Sequence, residues 1–229
     1  TQWKKNTLGK GWVIGETLIS GIGQGYIQTT PLQLCLMTAQ LANGGYKINP
    51  KIIIEETSDS PEKIKLIMQK NYQEIINKDE TKTTKEEIID FLRKKKYFPL
   101  FKDPKNIKLV HEAMYASTNE IRGTSYSSRI ENQKYRFAGK TGTSQVKRIT
   151  KKDRELDLKT FEIPYNERDH ALYIAFGPYK KPRYALSVVI EHGGSGSATA
   201  APLAKELFKL IIDRHKLREN FRVKGDVKI

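Results

Sequence analysis

Apolar positions along the chain fall into separated blocks with different periods. Leu32, Cys35, Leu36 and Ala39 recur at helical spacing after Thr30-Pro31, and Asn43-Gly44-Gly45 follows them. A threonine N-cap with proline at the first helical position opens a helix, and Asn-Gly closes one. A second helical pattern, Ile107, Val110, Met114 and Ser117, starts at Asp103-Pro104 and stops at a turn, "RGTS", at 122–125. Period-two patterns dominate later: 135–146, "HALYIAF" at 170–176 and "RYALSVVIE" at 183–191. The last two are joined by a Gly- and Pro-rich turn at 177–182. Beyond Gly193-Gly-Ser-Gly-Ser197, Leu203, Leu207, Leu210 and Ile211 mark one face of a closing helix.

This pattern predicts an α+β fold, an antiparallel sheet flanked by helices, in a single domain over 1–229. Residues 1–30 are Gly-rich and read as irregular, and 47–55 reads as a short strand. Residues 56–105 carry mostly Lys, Glu, Asp, Thr and Asn and read as a charged surface insertion, with Ile88, Ile89 and Leu92 as the buried edge of a short helix. Residues 147–168 read as a charged connector, and the basic tail from 214 is expected to fray.

Composition changes this picture only in part. The 229 residues carry a net charge of +15, which raises the possibility of nucleic acid or an anionic surface as partner. Glu86, Glu87 and Asp90 stand among Arg93, Lys94, Lys95 and Lys96, so the charge reads as a solvated, ion-paired surface rather than a phosphate track. One cysteine, Cys35, forbids an internal disulfide, and it falls on an apolar helical face as a small core residue. Neither it nor the four histidines has metal-ligand spacing, and no cofactor is expected. No apolar run is long enough to span a bilayer. The chain opens on Thr1 rather than Met and reads as a piece of a longer protein.

The chemistry concentrates in "RFAGKTGTSQV" at 136–146. Gly139-Lys140-Thr141 could end a phosphate-binding P-loop, but that motif needs glycine five residues before Gly139, where Lys134 stands. It also needs a helix after Lys140, where the composition is strand-like. Lys140-Thr141-Gly142 read as a strand alternates with Thr143, and Gly139 and Gly142 leave room for a ligand backbone. Lys140 and Thr143 are then expected to project into a cleft.

That tripeptide stands in an ordered series: "GETLISGIGQGYIQTTPLQLCLMTAQLANGGY", "RGTS", "AGKTGTSQV", "RDHALYIAFGP" and "YALSVVIEHGGSGSATAAPLAKELF". The series resembles the C-terminal part of the transpeptidase domain of class B penicillin-binding proteins. "RDHA" and "EHGGSGS" are most similar to the elongation-type group, penicillin-binding protein 2. The resemblance covers about two thirds of the chain and is weak over 56–105 and 147–167. It implies the fold shared by penicillin-binding proteins and β-lactamases, and peptidoglycan D,D-transpeptidation through a serine acyl-enzyme. It also implies peptidoglycan stem peptides and β-lactam antibiotics as ligands, and membrane-embedded cell-elongation proteins as partners. The implied location is the periplasmic face of a bacterial inner membrane.

By the same resemblance, the family's Ser-x-x-Lys and Ser-x-Asn motifs fall before residue 1. Ser60 to Lys63, Ser144 to Lys147 and Ser117 to Asn119 match these spacings only as decoys. Lys140 then supplies a fixed positive charge, Thr141 and Thr143 hold the donor carboxylate beside Gly142, and the Thr143 N–H is an oxyanion donor. Gln24, Gly25 and Tyr26 either shape the floor near the site or form a purely structural turn. Ser195 and Ser197 cap the last helix, and Tyr173, Phe176 and Tyr184 pack on the sheet. Two other readings stay open: a β-lactamase or D,D-carboxypeptidase of the same fold, and a basic nucleic-acid binder.

Overall fold

A computed structural model describes residues 2–50, 66, 69, 70, 99–101, 103–147, 155 and 158–223, with the backbone alone at 104 and 216–223. Most of the predicted insertion, most of the 47–55 strand and the Ser60 decoy lie outside these residues.

Three strands, β1 (Ala138–Ser144), β2 (His170–Gly177) and β3 (Tyr184–Ile190), form an antiparallel sheet in the order β1-β2-β3. Lys140 pairs with Ile174 and Thr141 with Tyr173, and Tyr173 pairs in turn with Val188. Side chains alternate across a strand. One face therefore carries Gly139, Thr141 and Thr143 with Ala171, Tyr173, Ala175 and Leu186. The other carries Ala138, Lys140 and Gly142 with Ile174, Phe176 and Ala185.

Helices cover both faces. The long C-terminal helix lies on the first, where Ala201, Ala204, Phe208 and Ile212 join Phe137, Tyr173, Ala175 and Leu186 in the main core. Phe208 stacks on Phe137 with centroids 5.0 Å apart. On the second face Met114 packs with Ala138 and Phe176, and Leu41 and Ala42 lie against them. These residues belong to the helices Pro104–Asn119 and Pro31–Ala42. Among the described residues the helices with defined bounds are, in chain order, α1 (Gln2–Leu8), α2 (Ile14–Gly21), α3 (Pro31–Ala42), α4 (Pro104–Asn119) and α5 (Ala201–Val223).

The strand and cap expectations hold with small shifts: β1 begins at Ala138 rather than 135. Thr30 caps α3, accepting from Gln33 N at 3.2 Å while Gln33 reaches back to Thr30 N. Asp103 caps α4 through Lys105 N at 2.8 Å. Replacing Thr30 with alanine should cost about 1 kcal/mol of stability, read from denaturant unfolding.

Several expectations need correction. Residues 1–30 are not irregular, because α1 and α2 form there. Glu16 accepts from Val13 N to start α2, and buried Lys4 pairs with Glu16 and donates to Gly11 O, tying the two helices together. The buried face of α5 is Ala201, Ala204, Phe208 and Ile212, while Leu203, Leu207 and Leu210 are exposed. Small alanines let the helix approach the sheet closely, which outweighs the larger leucines. The backbone of α5 runs to Val223. On α3, Leu32 is exposed and Thr38 is the buried residue. Cys35 is only partly buried, with Sγ 3.5 Å from Ala185 O on β3.

Candidate active site

β1 is an edge strand: β2 lies on one side of it, and no described strand lies on the other. Along part of that outer edge runs the end of α4. Thr118 Oγ1 accepts from Gly139 N at 3.0 Å, and Asn119 Nδ2 donates to Phe137 O at 2.9 Å. The main-chain groups of Gly139 therefore point outward. In an antiparallel strand every second residue shares that direction, so those of Thr141 and Thr143 point outward too. Thr141 O is indeed met from outside, by Lys140 Nζ at 2.9 Å.

Lys140 leaves the sheet on the α4 side and curls around the edge. Its ammonium also lies 3.3 Å from Thr141 Oγ1. Thr124, in the turn after α4, places its Oγ1 3.3 Å from Thr141 Oγ1 and 3.2 Å from Ser117 Oγ. The result is a string of hydroxyls ending at a cation. Beside it opens a cavity of about 520 Å³, lined by Val110, Met114, Ser117, Thr124 and Ile174 with Lys140.

Thr143 is exposed near the end of the strand, opposite Ala171. It lies on the opposite face of β1 from Lys140, as the alternation along the strand requires. They converge only along the outer edge, because Lys140 bends around it and Thr143 presents its main chain there. Gly142 pairs with Leu172, and Gly196 packs on both: a Cβ at 196 would lie 2.5 Å from Leu172 O and 2.6 Å from Gly142 O.

Other expected residues settle elsewhere. Tyr26 packs against Trp3 and Trp12, with centroids 5.6 and 6.3 Å away. Ser195 caps the turn Gly196–Ala200 by accepting from Ala198 N, and Ser197 Oγ lies 3.0 Å from Ser195 Oγ. His192 donates its main-chain N–H to His170 Nδ1 at 2.9 Å and is satisfied at the strand end. Of the decoys, Asn119 is engaged with the backbone at the end of α4, and Lys147 pairs with Glu167 at 2.7 Å. Among the described residues no three His, Cys, Asp or Glu side chains converge as a metal would need.

A buried hydroxyl cluster was not foreseen. Tyr173, read only as sheet packing, runs beneath Gly139 and brings Oη to 2.9 Å from Thr118 Oγ1 and 3.0 Å from Ser125 Oγ. Burial pushes the Tyr173 phenol above its usual range, with the two hydroxyl contacts pulling the other way, so it remains neutral. The only hint in the sequence is hydroxyl residues on both sides of one turn, Thr118 before it and Thr124-Ser125 after.

Comparison with known proteins gives this arrangement a lineage. Residues 3–209 match the model of the penicillin binding protein transpeptidase domain. Peptidoglycan D,D-transpeptidase MrdA of Salmonella typhimurium is 32% identical over 211 residues, 92% of this chain and 29% of that protein. MrdA of Escherichia coli is 26% identical over 219 residues, again 29% of its length. The chain thus spans under a third of the curated relatives it matches. Among solved structures, Pseudomonas aeruginosa PBP2 in complex with WCK 5153 superposes with a TM-score of 0.61 at 31% identity, covering 91% of this chain and 36% of that one. PBP2 of Helicobacter pylori, in its complex with MreC, gives 0.63 at 27% identity over 93% and 30%. The chain belongs to the penicillin-binding protein transpeptidase domain family.

Proposed function

We propose that the intact protein carrying this chain is a peptidoglycan D,D-transpeptidase acting through a serine acyl-enzyme, of the elongation type. The observation that supports this most is the open outer edge of β1, with Lys140 folded across Thr141. An extended donor peptide can add to such an edge as a further strand, its main chain meeting Thr141 and Thr143. Thr141 and Thr143 hold its terminal carboxylate, with Gly142 keeping the approach unobstructed. The Lys140 cation balances that carboxylate and biases the protonation of the nucleophile's surroundings. The Thr143 N–H donates to the oxyanion that forms as the serine attacks the D-Ala–D-Ala carbonyl. The serine belongs to a Ser-x-x-Lys segment outside this sequence.

β-Lactams would enter the same site as mimics of the dipeptide. The proposed setting is the periplasmic face of the inner membrane, with membrane-embedded elongation proteins as partners. Among the described residues no helix is long and apolar enough to cross a membrane.

Fluorescent penicillin should label the intact protein covalently, and 229-residue chain alone should remain unlabelled. Labelling of the chain alone would mean that the nucleophile lies within it. Rapid turnover of the β-lactam would instead indicate a β-lactamase.

A further inference from the structure

Thr118, Ser125 and Tyr173 are all fully buried, at 0% exposure. Polar groups so placed must satisfy one another, and here they do. Ser125 Oγ donates to Ser117 O at 3.0 Å and sits 3.3 Å from Thr118 Oγ1. Thr118 Oγ1 contacts both main-chain groups of Gly139, N at 3.0 Å and O at 3.4 Å. Tyr173 closes the cluster from below and fits because position 139 has no side chain: a Cβ there would stand 2.4 Å from Tyr173 Oη. One threonine hydroxyl thus joins α4 to the residue just before Lys140.

Gly139, Thr141 and Thr143 are the successive outward-facing residues of the edge. Four residues of strand place the Thr143 N–H roughly 13 Å from that of Gly139. A tilt of about 5° at the anchor would therefore move the oxyanion donor by about 1 Å, and a misplacement of that size can cost up to about 100-fold in rate.

We propose that Thr118 is a positioning residue for acylation: its hydroxyl, held by Tyr173 and Ser125, fixes the outer edge of β1 at Gly139 and so aims the Thr143 N–H. This rests on the function proposed above. Thr118 does not touch the substrate; it acts through the strand.

The test is pre-steady-state acylation of the intact protein by penicillin G, which separates reversible binding from the acylation step. Thr118→Val keeps the shape and removes the hydroxyl. The acylation rate constant should fall about tenfold or more, with the reversible binding constant unchanged and all of the protein finally acylated. Thr118→Ser should recover the rate. Tyr173→Phe should slow acylation in the same sense, and it carries the test if Thr118→Val fails to fold. A wild-type rate in both Thr118→Val and Tyr173→Phe would overturn the proposal. So would a smaller acylated fraction that reacts at the wild-type rate, or a Thr118→Ser protein as slow as Thr118→Val. Failure of the unmodified protein to acylate would overturn the transpeptidase reading itself.

Discussion

Lys140→Ala should lower the rate of β-lactam acylation of the intact protein by at least about 100-fold. The ammonium lies 2.9 Å from Thr141 O and 3.3 Å from its hydroxyl, on the edge where the ligand carboxylate is proposed to sit. Removing it deletes that ammonium from the edge and leaves the hydroxyls of Thr141 and Thr124 there, with Arg122 elsewhere in the cavity lining. The side chain is exposed, so the fold has little to lose and the melting temperature should stay at the wild-type value. Lys140→Arg keeps the charge but replaces a compact ammonium with a planar fork on a longer reach, and should fall between the two. The measurement is stopped-flow acylation alongside thermal unfolding. Acylation by Lys140→Ala at the wild-type rate would remove Lys140 from the site.

Gly196→Ala should act in the opposite way, through the fold. The new methyl would stand 2.5 Å from Leu172 O and 2.6 Å from Gly142 O. Both oxygens belong to the paired backbones of β1 and β2, so neither can swing aside as a side-chain end could. Overpacking in such a place costs about 1–3 kcal/mol, and a clash with paired backbone belongs at the upper end. The turn Gly196–Ala200 would have to lift, and α5, which begins at Ala201, would be pulled from the core it shares with Phe137 and Tyr173. Denaturant unfolding should show the loss of stability. A midpoint equal to the unmodified protein's would mean that the turn has slack that its packing does not suggest.

The sheet was legible because its evidence is local. "HALYIAF" and "RYALSVVIE" alternate, a Gly–Pro turn separates them, and the two strands form almost at the expected bounds. The starts of α3 and α4 were equally plain, since Thr30-Pro31 and Asp103-Pro104 satisfy orphan N–H groups within a few residues. What failed depended on distance. α2 was hidden by its glycines and is held in place by Glu16, which reaches both Val13 and Lys4. The face of α5 was misassigned because leucine was weighed above alanine, when closeness to the sheet decided the matter. In the site, the run from Lys140 to Thr143 could be picked out from its motif. Thr118, Thr124 and Ser125 could not, because a buried hydroxyl is recognised only by the partners that folding brings to it.

Gly139 and Tyr173 have a shared history to keep. The tyrosine ring occupies the space that any side chain at 139 would need, and its hydroxyl is satisfied only by crossing beneath that glycine. Neither position can drift alone. A lineage that acquires a side chain at 139 must first exchange the tyrosine for a shorter residue. One that shortens 173 leaves Thr118 and Ser125 without their buried partner. The two positions are therefore sterically coupled, and a change at either calls for a compensating change at the other.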